Sequence, residues 1–138
     1  MTYRRIGSFA LALIIAAALT APLLAHHSFA AEYDSKQPIT VTGAVTKVEW
    51  MNPHVYFYID VRDEQTGKIT NWAFEMGAPA VIQRNGWTRN SMKIGDLVTV
   101  EGTRAKSGAP HGNARSVTLA ATGKKLGAGS SEGQTPEQ

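Results

Sequence analysis

Residues 54–76 hold two runs of strict alternation around a turn, and no other feature limits the fold of this chain as much. Val55, Phe57, Ile59 and Val61 lie on one face of the first run, with His54, Tyr56, Tyr58 and Asp60 on the other. The second run, Ile69 to Met76, sets Thr70, Trp72, Phe74 and Met76 against Asn71, Ala73 and Glu75. A period of two marks a half-buried strand. The intervening Asp63-Glu64-Gln65-Thr66-Gly67-Lys68 has turn composition, with Gly67 at a left-handed position. Opposed residues of an antiparallel pair share a constant index sum. A sum of 131 sets Phe57 against Phe74, Ile59 against Trp72 and Tyr56 against Glu75, so one register accounts for both faces.

Strand signals continue on either side. Ile39 to Val45 alternates, and after Thr46-Lys47 the apolar phase moves by one residue to Val48 and Trp50, as a β-bulge produces. Gly43 inside this run fits a sharp bend at a barrel corner. Ala78 to Gly86 reads as a short helix, with Pro79 in its first turn and Gly86 just past its end. Ile94-Gly95-Asp96 leads into a fourth strand, Leu97 to about Arg104, and Asn113 to Ala120 forms a fifth. Three strands, a short helix and two more strands predict an all-β domain: a five-stranded OB-like Greek-key barrel over residues 39–122. Residues 26–38 show no period and read as a lead-in arm. The small, polar residues 123–138 read as a disordered tail.

The N-terminus predicts export. Arg4 and Arg5 precede an apolar stretch from Phe9 to Leu19, followed by Pro22 and Leu23-Leu24-Ala25, the order of a secretory signal. Cleavage after Ala25 makes residues 1–25 the signal, His26 the new terminus and the bacterial periplasm the destination. A cut after Ala30 removes His26 and His27. Retention of the uncharged run from Ile6 to Ala25 as an anchor is the third possibility. Membrane contact is then expected through this segment alone. A mature chain of about 113 residues supports one core. The formal charge of +3 suggests a polyanion binder until Arg4 and Arg5 are removed, which leaves 12 basic side chains against 11 acidic. With no basic stripe and an exported chain, nucleic acid is not an expected partner. The absence of cysteine excludes disulfides, thiolate metal sites and a cysteine nucleophile.

Histidine is the remaining chemistry. Of His26, His27, His54 and His111, the first becomes a terminal residue if the cut follows Ala25. Its amine and imidazole Nδ1 then form a six-membered chelate, and nitrogen donors of this kind favour Cu(II) ahead of Zn or Ni. This arrangement resembles the N-terminal histidine chelate of copper-dependent polysaccharide oxygenases and related exported copper proteins. In an OB-type barrel the ligand face is bordered by the loop between strands one and two and that between strands four and five. These are Met51-Asn52-Pro53-His54 and Lys106 to Asn113, which carry His54 and His111. A copper-type site of His26, His54 and His111, with His27 replacing or assisting any of them, is the expectation. Scattered surface histidines that bind nothing are the plain alternative.

The outward face of strands two and three supplies a second candidate. Tyr56, Tyr58, Asn71 and Glu75 form a polar and aromatic patch suited to a peptide, glycan or envelope partner, or simply to cross-strand pairing on a solvated sheet. Glu32 and Asp34 read as solvated charges. No nucleophile elbow, phosphate loop, paired zinc-protease motif or dinucleotide fingerprint occurs, so no catalytic residue is assigned. His26-His27-Ser28-Phe29-Ala30, Trp50-x-Asn52-Pro53-His54, Trp72 to Met76 and Gly86-Trp87 followed by Gly95-Asp96 resemble a family of small exported bacterial proteins of unknown function. The resemblance covers residues 26–120 and implies export without supplying an activity. A looser resemblance to the exported bacterial OB-fold family rests on strand order alone.

Overall fold

The computed structural model describes residues 29–132, and the expected signal, His26 and His27 lie outside them. Residues 29–32 are helical. Strands β1 (Tyr33–Glu49), β2 (Tyr56–Arg62) and β3 (Ile69–Glu75) follow, then helix α1 (Pro79–Arg84) and strands β4 (Leu97–Ala105), β5 (His111–Leu119) and β6 (Lys125–Gly127). The sheet runs β3-β2-β1-β4-β5-β6, and a parallel pairing of β3 with β5 closes a ring of five strands. The protein is therefore mostly β with short helices.

The β2–β3 hairpin has the register that alternation predicts: Tyr56 opposes Glu75, Phe57 opposes Phe74 and Ile59 opposes Trp72. Asp63 organises its turn by accepting the N–H groups of Gln65 and Thr66, and Gly67 takes φ 71°. The long strand β1 is shared. Its residues 38–44 pair with β4 and 44–49 with β2, and the expected bulge appears as a register shift between Val45 and Lys47. At Gly43 the strands approach so closely that a Cβ would run into the Asp60 carbonyl. Gly102 and Gly112 stand in equally tight places, against the backbone of Asn113 and against the Phe74 ring with Thr103 O. Inside the ring Val45, Val55, Phe57, Ile59, Phe74, Met76, Val98, Val100 and Val117 are buried, and Ile82 of α1 closes one side of the core. Trp87 is buried too, its indole N–H donating to Gly127 O at 2.8 Å, while Trp50 packs against the edge of the core beneath Arg89.

Three expectations need correction. The lead-in arm is structured from residue 29: strand β1 begins at Tyr33, six residues before its periodic part, because Tyr33 pairs with Ala105 and its ring is buried. The tail is not disordered throughout. Lys125–Gly127 adds a sixth strand to β5, burying Leu126 and Ala128, and Ser130 and Glu132 bond to Asn113 and Thr103. Finally, His111 opens β5 and does not belong to the preceding loop; its partner there is Ala73 of β3.

Candidate functional site

Where β3 ends, Glu75 should face water by alternation, yet it is only 7% exposed. The cover is Tyr33, carried over it by the early start of β1. The Tyr33 hydroxyl donates to Glu75 Oε2 at 2.8 Å, and the Tyr56 hydroxyl, directly opposite Glu75 on β2, donates to the same oxygen at 3.0 Å. His54, from the β1–β2 connection, brings Nδ1 to 2.8 Å from the other oxygen, Oε1. So short an approach places a ring proton on Nδ1, since two lone pairs would repel. A buried carboxylate is costly without partners, and here both oxygens have them.

His111 joins through Tyr33. Its Nε2 stands 2.8 Å from the Tyr33 oxygen. The single phenolic proton is committed to Glu75, so the imidazole N–H donates and the Tyr33 oxygen accepts. His54, Glu75, Tyr33 and His111 thus form one connected chain of polar contacts. The two histidines that sequence reasoning placed on neighbouring loops are brought to the same carboxylate, one directly and one through a tyrosine. Burial, followed by the negative charge of Glu75 and the bond to it, pushes the Tyr33 phenol far above its ordinary pKa, and the same causes raise Tyr56.

Glu32 completes the cluster, with Oε1 3.7 Å from His111 Nε2. One donor atom from each of Glu32, Glu75 and His111 lies within 4.8 Å of the other two. Ligands around a transition metal stand about 2.0–2.2 Å from it, so opposed donors are at most about 4.4 Å apart. The set is somewhat wider than a coordination shell, and Glu32, half exposed, has room to move inward. The helical turn carrying Glu32 is fastened by Lys106, whose backbone N–H donates to Glu32 O and whose ammonium donates to Ala30 O. The Phe29 ring packs on Tyr33 with centroids 5.2 Å apart.

The remaining residues of the expected sheet face divide. Tyr56 and Glu75 belong to the cluster just described. Tyr58 donates to Glu49 at 2.9 Å, while Asn71 donates to Asp60 and to Thr46, so these polar groups pair across strands. Tyr33 and Glu32 were missed from sequence. Both fall in a stretch with no period, and the missing signal was long-range: the pairing of Tyr33 with Ala105.

Comparison with curated proteins gave no match, and comparison with solved structures gave none either. A family model does match residues 13–115, most of the chain and every residue of this cluster. The chain therefore belongs to the family of unknown function DUF6152.

Proposed function

We propose that this is a small periplasmic binding module with an OB-like Greek-key barrel, and that it holds a divalent transition-metal ion, copper first, at the barrel rim. The observation that supports this is the convergence of His111, Glu75 and Glu32 within 4.8 Å. Imidazole with carboxylate suits Cu(II), Zn and related ions, and Cu(II) is bound most tightly among the divalent ions of the first transition row. His54 enters through Glu75: its Nδ1 fixes the carboxylate as groups outside a coordination shell usually do. The reading assigns the role of metal capture or transfer; it needs no catalytic residue.

Export and the site are connected by chain length. His26 precedes Phe29 by three residues, which span at most about 11 Å when extended. Phe29 packs on Tyr33, whose hydroxyl touches both Glu75 and His111. Cleavage after Ala25 therefore releases a terminal amine and imidazole within tether reach of the rim, and His27 offers a second ring. Mass spectrometry of the protein taken from the periplasm tests this: a chain beginning at His26 is expected. Calorimetric titration with Cu(II) should then give one tight site that weakens at least tenfold on His26→Ala. A chain beginning at Ala31, or unchanged affinity in the variant, removes the N-terminal histidine from the site.

A metal-free interaction surface on the Tyr56, Tyr58, Asn71 and Glu75 face, for a peptide, glycan or envelope protein, is the competing reading. The half-buried Tyr58 ring beneath the Lys47 ammonium, 5.2 Å from its centroid, is the feature that favours it. Tyr58→Ala should abolish capture of such a partner and leave Cu(II) affinity unchanged.

A further inference from the structure

Tyr33 occupies a position in the cluster that its hydrogen bonds alone do not explain. Its oxygen is 2.8 Å from Glu75 Oε2 and 2.8 Å from His111 Nε2. Ligand atoms about 2.0–2.2 Å from one ion stand roughly 2.8–3.3 Å apart at neighbouring corners of a coordination polyhedron. An ion held by Glu75 Oε2 and His111 Nε2 would have this oxygen beside it. Nor can the tyrosine step aside easily: it is 2% exposed, pinned by Phe29 on one side and by the edge of the His111 ring, 5.5 Å between centroids, on the other.

We infer that Tyr33 is itself a ligand, bound as a phenolate beside His111, Glu75 and Glu32, and that the ion is therefore oxidised copper, Cu(II), and not Cu(I). This rests on the metal reading above. The donor set is oxygen-rich and without sulfur. Met76 and Met92 are buried in the core, and Met51 is 48% exposed on the β1–β2 connection. Cu(I) prefers thiolates and thioethers, whereas Cu(II) accepts imidazole and anionic oxygen. On binding, the Tyr33 O–H bond breaks, an O–Cu bond forms and the proton passes to solvent. The His111 proton moves from Nε2 to Nδ1, so the ring binds through Nε2 as a neutral imidazole, and copper keeps its oxidation state. Tyr56 differs in one respect. Its hydroxyl touches Glu75 Oε2 without an accompanying bond to His111, so it remains a phenol that steadies the carboxylate.

The test uses protein purified from the periplasm and loaded with one equivalent of Cu(II). Phenolate bound to Cu(II) gives an intense visible charge-transfer absorption, and resonance Raman excitation within it displays tyrosinate ring vibrations. The wild-type protein should show both. Tyr33→Phe should lose the band and bind Cu(II) at least tenfold more weakly, while Tyr56→Phe and Tyr58→Phe keep the band. If Tyr33→Phe fails to fold, persistence of the Raman signature through both other variants still assigns the phenolate to Tyr33. Tight binding that depends on His111 but shows no charge-transfer band, or a band that survives Tyr33→Phe, overturns the tyrosine ligand and leaves the metal site standing. Absence of Cu(II) binding overturns both.

Discussion

Tyr33 and Glu75 are 42 residues apart and share a buried 2.8 Å hydrogen bond that joins the start of the first strand to the end of the third. Glu75 accepts from both tyrosines and meets His54 at its second oxygen. Replacing it by glutamine substitutes a donor for one acceptor and sets an N–H against groups that themselves donate. Glu75→Gln should cost about 1–3 kcal/mol of folding stability, the usual penalty for orphaning buried polar groups. Urea unfolding measures this; a variant as stable as wild type would show that Glu75 is not the centre of the cluster.

The two tyrosines also set an alkaline limit. Burial and the Glu75 charge raise both phenols above their ordinary value near 10, so above that pH the folded chain keeps protons that the unfolded chain gives up. Stability from this source is complete below about pH 10 and declines as pH rises further. Thermal unfolding between pH 8 and 11.5 should show the decline, and Tyr33→Phe should make it shallower.

Close approach of strands makes a separate prediction. At Gly102 an added Cβ would strike the Asn113 carbonyl and the Ala114 Cα, both backbone atoms that cannot swing aside. Gly102→Ala should therefore cost more than about 2 kcal/mol, above the usual point substitution. At Gly123 the space is open and only the left-handed backbone, φ 70°, opposes a side chain. Gly123→Ala should cost about 1–2 kcal/mol by the same assay, the penalty of a left-handed backbone for a residue with a Cβ. A reversal of that order would mean the strand crossing is looser than described.

The sixth strand is the region that composition concealed. Leu126 is buried and its strand gives the Gly127 carbonyl to the Trp87 indole. Leu126→Ala should destabilise the domain by about 2–4 kcal/mol, as buried leucine truncations do. A value near zero would return residues 125–127 to the status of a loose tail.

These elements show what one sequence can reveal. The β2–β3 register was readable because two alternating runs flank a short turn, and parity alone decides which residues meet. The bulge in β1 was readable as a phase shift. The Tyr33 to Pro38 stretch was not, because it is exposed from Ser35 onward and selects no apolar period. Lys125-Leu126-Gly127 offers a single apolar side chain, too little to mark a strand. His54 and His111 were legible as a pair from the order of strands. Glu75 as their common partner was not: its burial depends on Tyr33 arriving from the far end of β1, a contact no local pattern encodes.

Calorimetric titration of the metal-free protein with Cu(II), run in parallel with His111→Ala, tests the metal reading most directly. One tight site per chain, weakened at least about a hundredfold in the variant, is the predicted result. No binding heat, or an affinity indifferent to His111, would contradict it.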